Sequence, residues 1–390
     1  MIIQPKVRGF ICTTAHPVGL KRALEEDIAF VKSKGRINAG KNVLVVGASM
    51  GYGLSARTAA AFGGGASTLG VIFDRPASGN RTASAGWYNT AAFEQAAKKE
   101  GLYCKTVNGD AFSDEVKDKV VEIIKRDLKK IDCVVYSVAA PRRMMKDGTS
   151  VSSVLKTKDK PFTQKTVDLR TGEVTQVTVE PATEEEIENT VKVMGGEDWY
   201  EWMMRLKKEG LLAPDACSVA FSYIGPELTH AIYKDGSIGM AKKDLYATAE
   251  KLRREGLRAF VSVNKALVTQ SSSAIPVVPL YISLLYKVMK RRGTHENTAA
   301  QMQRLFGEKN LRTGAVTDED ELIRLDDLEM DEPTQTEIMR LWDEVGKTPL
   351  QELADVKGYD ADFLRLFGFG LDGVDYDADV DANAEIEELE

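Results

Sequence analysis

Residues 42–53 read Asn-Val-Leu-Val-Val-Gly-Ala-Ser-Met-Gly-Tyr-Gly, and the order of residue types in that stretch decides the fold. Four apolar, mostly β-branched residues, Val43 to Val46, predict a strand; Gly47, Gly51 and Gly53 follow, and then the helix-prone run Leu54–Phe62. A strand, a tight glycine turn and a helix start, in that order, aim backbone N–H groups and the positive end of a helix dipole at one point, which suits a pyrophosphate. Glycine is needed because a Cβ would hold phosphate oxygens off the backbone. The spacing G-x-x-x-G-x-G makes the loop a cousin of the G-x-G-x-x-G dinucleotide fingerprint. The next apolar run, Leu69–Phe73, ends at Asp74, 21 residues after Gly53. An acidic residue at that distance grips a ribose 2′-hydroxyl and repels a 2′-phosphate, which favours NADH over NADPH; Arg75 beside it offsets part of the repulsion.

Outward from this unit the alternation continues. The amphipathic segment Lys21–Lys34 predicts a helix outside the sheet, and Pro76–Ala85 a polar turn or hairpin. Trp87–Glu100 reads as a helix ended by Gly101, Leu102–Val107 as a third strand, and about Asp114 to Leu128 as a helix with Ser113 as N-cap. Ile131–Ala140 is a largely apolar run closed by Pro141. Continuous apolar strands alternating with helices predict an α/β fold: a doubly wound parallel sheet with helices on both faces. Ligands of such sheets sit at the carboxyl ends of the strands, where Asp110-Ala111 and Val138-Ala139 fall. The first pair is placed to bracket an adenine, the second to lie beside the nicotinamide ribose.

Polar residues 142–190 interrupt the rhythm and read as an insertion with a hairpin turned at Thr171-Gly172. Helix signals return at Glu185–Val193 and Trp199–Glu209, and Ser218–Tyr223 reads as a strand. Acidic helices are expected around Leu322–Leu328 and Pro333–Val345, and a mobile end from Asn383.

Bulk properties narrow the function. With 390 residues the chain has room for two or three domains or one enlarged one. Its net charge of −7 argues against nucleic acid as a partner. Cys12, Cys104, Cys133 and Cys217 form no C-x-x-C pair and read as free thiols of a reducing compartment, while His16, His230 and His295 lack metal-ligand spacing, so no metal is expected. The N-terminus carries no secretory signal, and the longest apolar stretch, Ala274–Tyr286, falls short of the ~20 residues that span a bilayer and holds Pro276 and Pro279. A cytoplasmic protein without membrane insertion is expected.

The segment Phe221 to Lys243 supplies the candidate chemistry. A tyrosine beside a lysine is an acid able to donate to a developing enolate or alkoxide oxygen, the ammonium lowering the phenol's usual pKa of ~10. Tyr233 and Lys242 are nine residues apart, on opposite sides of an unbroken helix, but Asp235-Gly236 breaks the helix and lets them approach. From these residues alone, a surface tyrosine and a solvated lysine remain the readier reading.

The loop G-A-S-M-G-Y-G, G-W-Y-N at 86–89, N-G-D-A-F-S-D at 108–114, Y-S-V-A-A-P-R-R at 136–143, V-M-G-G-E-D-W at 193–199, S-Y-I-G at 222–225, Tyr-x8-Lys and V-N-K-A-L-V-T at 263–269 together resemble the FabV-type enoyl-acyl-carrier-protein reductases and the related trans-2-enoyl-CoA reductases. The resemblance runs nearly the whole chain. It implies one enlarged Rossmann-type domain over 1–390, with a core at about 40–292, the insertion at about 142–190 and a C-terminal helical extension from about 293. It further implies Tyr233 as proton donor, Lys242 as its partner and a cofactor ligand, and Tyr223 as a substrate contact. NAD-binding roles are implied for Gly47, Ala48, Ser49, Met50, Gly51, Tyr52, Phe73, Asp74, Asp110, Ala111, Val138, Ala139, Leu267, Val268 and Thr269. Where the family commonly has glutamate, this chain has the shorter Asp74.

The implied reaction is NADH-dependent saturation of a trans-2-enoyl thioester carried on acyl carrier protein or coenzyme A, by a monomer. The basic run Lys287, Lys290, Arg291 and Arg292 is a candidate dock for either anionic carrier. The rival expectations are a carbonyl-reducing short-chain dehydrogenase and a non-catalytic NADH-sensing protein on the same scaffold.

Overall fold

In the computed structural model, which describes all residues except Phe10, Leu169, Arg170 and Ser271, the Val43–Val46 run is an inner strand of one parallel sheet. Its strands are β1 Asn42–Val46, β2 Ser67–Ile72, β3 Cys104–Asn108, β4 Ile131–Tyr136, β5 Leu212–Ser222, β6 Arg258–Val263 and β7 Leu322–Arg324. They lie in the order β7-β6-β5-β4-β1-β2-β3, every neighbouring pair parallel. The chain winds one way from β1 to β3 and the other way from β4 onward. The crevice at the carboxyl ends of β1 and β4 is therefore the switch point where such sheets take ligands.

Two cores follow from the pleat. Val43, Val45, Cys133, Val135, Cys217 and Val219 point into one, and Leu44, Val46, Val134, Tyr136 and Ala220 into the other. Both faces are covered, which is why the strands read as unbroken apolar runs. The first is roofed by helices Pro17–Ser33, Gly51–Thr58, Val278–Arg292 and Thr298–Phe306, the second by Asp114–Ile123, Glu197–Lys208 and Ser237–Arg254. Ser113 caps the helix it was expected to cap, its Oγ accepting from Val116 N–H at 3.2 Å. The four cysteines are buried and free.

The insertion carries the expected hairpin, Phe162–Asp168 against Glu173–Val179, with Gly172 N–H donating to Asp168 O at 2.7 Å. Leu169 and Arg170 of that turn lie outside the described residues.

Two expectations fail. The helix expected around Leu322–Leu328 is instead the edge strand β7, because its backbone groups are taken by β6: Val261 pairs with Leu322, and Leu325 N–H donates to Val263 O at 2.9 Å. The C-terminal end is docked along the opposite edge. Thr106 N–H donates to Glu388 O (3.0 Å), Glu390 N–H to Thr106 O (2.8 Å), and Glu388 N–H to Glu94 Oε2 (2.8 Å). The acidic side chains that suggested mobility pair with cations of that edge, Glu387 with Lys98 and Glu390 with Lys105 and Arg126. An exposed strand edge is covered in this way.

Candidate active site

The glycine loop is pressed inward at one point and open at another. A Cβ on Gly53 would lie 1.8 Å from Gly47 O, so helix Gly51–Thr58 can rest on the end of β1 only with glycine there. At Gly51, where φ is +52°, nothing stands within 4 Å of the Cβ position. Met50 caps the helix without a side-chain bond, leaving the first-turn N–H groups facing that space. Ala48 is buried, and Asn89 Nδ2 holds Ser49 O at 3.0 Å. Tyr52 OH reaches across to Lys265 O at 2.8 Å, joining the loop to the segment that precedes Leu267.

At the end of β2, Phe73 is 78% exposed, an uncommon state for a phenyl ring and one that offers a flat face to a base. Asp74 is fixed from two sides. Asn108 accepts from its N–H and donates to its carbonyl, both at 2.9 Å, and its carboxylate lies against Gly86, where a Cβ would come within 2.4 Å of Oδ2. Asp110 Oδ1 accepts from Phe112 N–H at 3.0 Å. Ala111 O is held by Lys117 Nζ (3.0 Å) and Trp202 Nε1 (3.2 Å), and the buried Lys117 is paired with buried Asp198 at 2.7 Å. Tyr136 OH donates to the other Asp198 oxygen at 3.0 Å. Val138 and Ala139 leave the end of β4 half-buried and exposed. Leu267 and Val268 are buried, with Val268 N–H on Tyr286 OH at 3.3 Å, and Thr269 exchanges bonds with Ser272.

Around the end of β5, Tyr223 meets Tyr233 and Lys242 bonds to Phe221 O. The chain turns after Tyr233 and re-enters a helix at Ser237, as Asp235-Gly236 implied. That reversal needs Gly239, whose Cβ would lie 1.9 Å from Lys234 O. The rings of Tyr223 and Tyr233 meet edge to face, centroids 5.0 Å apart. Lys242 Nζ donates to Phe221 O at 3.0 Å, not to Tyr233, whose hydroxyl has no bond to another described residue. Burial brings Lys242 down to about 8 and pushes the Tyr233 phenol up, with Tyr246 adding to the latter. Tyr223 OH donates to Glu329 Oε1 at 3.2 Å.

Glu329, Lys117, Asp198 and Asn108 escaped sequence reading. Asp198, inside V-M-G-G-E-D-W, and Asn108, opening N-G-D-A-F-S-D, were the two with a signal. The basic run 287–292 is largely neutralised: Lys290 pairs with Asp355 (2.7 Å), Arg292 with Asp331 (3.0 Å) and Arg291 with Glu337. A cleft of about 970 Å³ opens beside Met50, Gly51, Asn89, Leu267 and Val268, but its lining includes neither Tyr233 nor Lys242. Among the described residues no three His, Cys, Asp or Glu side chains converge as a metal site would require, and no helix is long and apolar enough to cross a membrane.

A switch-point crevice fronted by an open glycine loop, an exposed aromatic ring and a fixed carboxylate defines a Rossmann-type dinucleotide-binding protein. Models of three family regions match in turn: the NAD(P)H binding domain of trans-2-enoyl-CoA reductase over residues 2–79, the trans-2-enoyl-CoA reductase catalytic region over 81–311, and an enoyl reductase FAD binding domain over 317–380. The chain belongs to the trans-2-enoyl-CoA reductase family. It is 50% identical to a trans-2-enoyl-CoA reductase [NADH] of Ruminiclostridium cellulolyticum, with 100% of both chains covered. It is 54% identical to an enoyl-[acyl-carrier-protein] reductase [NADH] of Opitutus terrae over 98% of each. The crystal structure of Treponema denticola trans-2-enoyl-CoA reductase in complex with NAD superposes with a TM-score of 0.94 at 47% identity, covering 98% of both chains. Residues 317–380 do not fit a flavin. β7 leads into an acidic segment instead of a glycine turn, and its buried carboxylates hold protein groups, Asp326 on Arg324 and Glu329 on Tyr281 and Ala266.

Proposed function

We propose that the protein reduces the carbon–carbon double bond of trans-2-enoyl thioesters with NADH. The observation that carries the reading is the cluster at the end of β5: two tyrosines ring to ring and a half-buried lysine, next to a loop shaped for a dinucleotide, in a chain alike over its whole length to reductases of that name. Bound NADH supplies the hydride. The first-turn N–H groups at Gly51 and Tyr52 hold the pyrophosphate, Phe73 stacks on the adenine beside Asp110-Ala111, and Asp74 accepts from the ribose hydroxyls. Val138-Ala139 and Leu267-Val268-Thr269 flank the nicotinamide half. Lys242, anchored on Phe221 O, keeps two of its three protons for the cofactor ribose and for Tyr233.

Tyr233 has its hydroxyl free and so donates to the thioester oxygen as enolate charge develops there, with Tyr223 alongside. Removing one such donor typically costs ~10²–10³ in rate. Proton delivery to the α-carbon completes the saturation. The burial that makes the phenol a weak acid also keeps it protonated until charge appears on the oxygen it touches.

The test is NADH consumption with crotonyl-CoA, its carrier-protein equivalent and acetoacetyl-CoA. Turnover on the enoyl substrates alone supports the reading; turnover on the ketone alone identifies a carbonyl reductase, and tight NADH binding without any turnover identifies a sensor. The choice between carriers follows from kcat/KM on matched substrates. We further read the chain as one domain built around the sheet and as a cytoplasmic monomer, a state light scattering checks.

A further inference from the structure

We propose that Glu329 is a positioning residue for this reaction, its carboxyl deciding whether the Tyr223 hydroxyl donates inward to the protein or outward to the thioester oxygen. The inference rests on the reading of Tyr223 and Tyr233 as the pair that faces that oxygen. Glu329 lies 106 residues along the chain from Tyr223, in the segment after β7, and is fully buried. Both of its oxygens are clamped. Oε1 takes Tyr281 OH at 2.7 Å and Tyr223 OH at 3.2 Å; Oε2 takes Ala266 N–H at 2.7 Å. Gln335 Nε2 fixes the group from behind, donating to Tyr281 OH (3.0 Å) and Glu329 O (2.7 Å). One carboxyl thus joins the substrate tyrosine to the residue before the Leu267–Thr269 segment.

A phenol has one proton to give. Against an ionised Glu329, Tyr223 gives it inward and shows the site only lone pairs, which repel an enolate oxygen. Against a protonated Glu329, the carboxyl donates from Oε1 to the Tyr223 oxygen, still accepting from Tyr281, and the Tyr223 proton turns toward the substrate. One hydrogen bond, between Glu329 and Tyr223, reverses direction, and the one proton the carboxyl gains comes from solvent as the pH falls. Burial is the largest influence on Glu329 and raises it above the usual glutamate range. Lys265, Ala266 N–H and Tyr281 oppose this, and Asp326 reinforces it; the buried Tyr52 phenol faces the same charge. The outward donor therefore exists below the pKa of Glu329 and is lost as pH rises through it.

The experiment is the pH profile of kcat/KM with crotonyl-CoA at saturating NADH for the wild type, Glu329→Gln, Tyr281→Phe and Tyr223→Phe. The wild type should fall on the basic side through two groups, Glu329 and Lys242, the latter near 8. In Glu329→Gln the amide oxygen keeps Ala266 N–H and the NH₂ donates permanently to the tyrosines. Held in the donating form at every pH, it should keep the rate the wild type shows below the Glu329 limb and exceed the wild type above that limb by on the order of tenfold, the scale of one hydrogen bond; the Glu329 limb should vanish while the Lys242 limb stays. Tyr281→Phe removes a bond that stabilises the ionised carboxylate, so the Glu329 limb should move to higher pH. Both limbs persisting in Glu329→Gln, or an unmoved limb in Tyr281→Phe, overturns the proposal; if Glu329→Gln does not fold, Tyr281→Phe alone decides. A fully active Tyr223→Phe would instead remove the reading beneath it, whereas a slow Tyr223→Phe with both limbs intact in Glu329→Gln removes only the role of Glu329.

Discussion

Gly51 and Gly53 are two residues apart and should fail in opposite ways when each becomes alanine. At Gly51 a methyl group meets nothing within 4 Å, and the cost to the free protein is that of an alanine at φ +52°, about 1 kcal/mol. In a chain of this size that lowers Tm by roughly 2 °C. The same methyl stands where phosphate oxygens must approach the first-turn N–H groups. Displacing one charge-assisted hydrogen bond costs about 1.5–3 kcal/mol, or roughly 10- to 150-fold in the NADH Kd. At Gly53 the methyl would sit 1.8 Å from Gly47 O, backbone on backbone, so helix and strand must part. Stability should then fall by the ~1–3 kcal/mol of an overpacked core, or more. Calorimetric titration with NADH and thermal melting by circular dichroism separate the two. A Gly51→Ala protein that melts near the wild type and binds NADH within twofold of it would refute the placement of the pyrophosphate at this loop.

Replacing Asp74 by serine, of similar size but uncharged, should lower the preference for NADH over NADPH in kcat/KM by about tenfold, since the repulsion of a 2′-phosphate is gone; an unchanged ratio would place the ribose elsewhere. Deleting residues 383–390 strips Glu94 and Thr106 of backbone partners and should cost about 2–3 kcal/mol by denaturant titration, most of it from hydrogen bonds and little from exposed ion pairs. Lys242→Met should lose turnover yet gain stability at neutral pH. Burial holds Lys242 near 8, below its unfolded value of ~10.4, so the unfolded chain binds the extra proton between those values and this group destabilises the fold fully below pH 8. Discounted for partial exposure, the gain is about 1–2 kcal/mol at pH 7, and it should fade as pH rises toward 10; a gain that grows with pH would contradict the assignment.

What the sequence disclosed were features written in neighbouring residues. Val43–Val46 with Gly47, Gly51 and Gly53 specified strand, turn and helix because each depends on local φ, ψ and side-chain period. Asp235-Gly236 announced the break before the helix that restarts at Ser237. Hidden were features that exist only once distant segments meet. Nothing near Glu329 hints at Tyr223, 106 residues away, and the acidic tail finds Glu94 across 294. The helix expected at Leu322–Leu328 lost to β6, since an edge strand's partner lies outside any local window. The basic run at 287–292 looked free only because Asp331, Glu337 and Asp355 are remote in sequence.

The measurement that bears most directly on the chemistry is single-turnover reduction of crotonyl-CoA by NADH-loaded Tyr233→Phe, followed at 340 nm beside the wild type. Phenylalanine keeps the ring contact with Tyr223 and removes only the free hydroxyl. The hydride-transfer rate should fall by about 10²–10³ with NADH affinity and melting temperature unchanged. A wild-type hydride-transfer rate in that variant would show that the phenol takes no part.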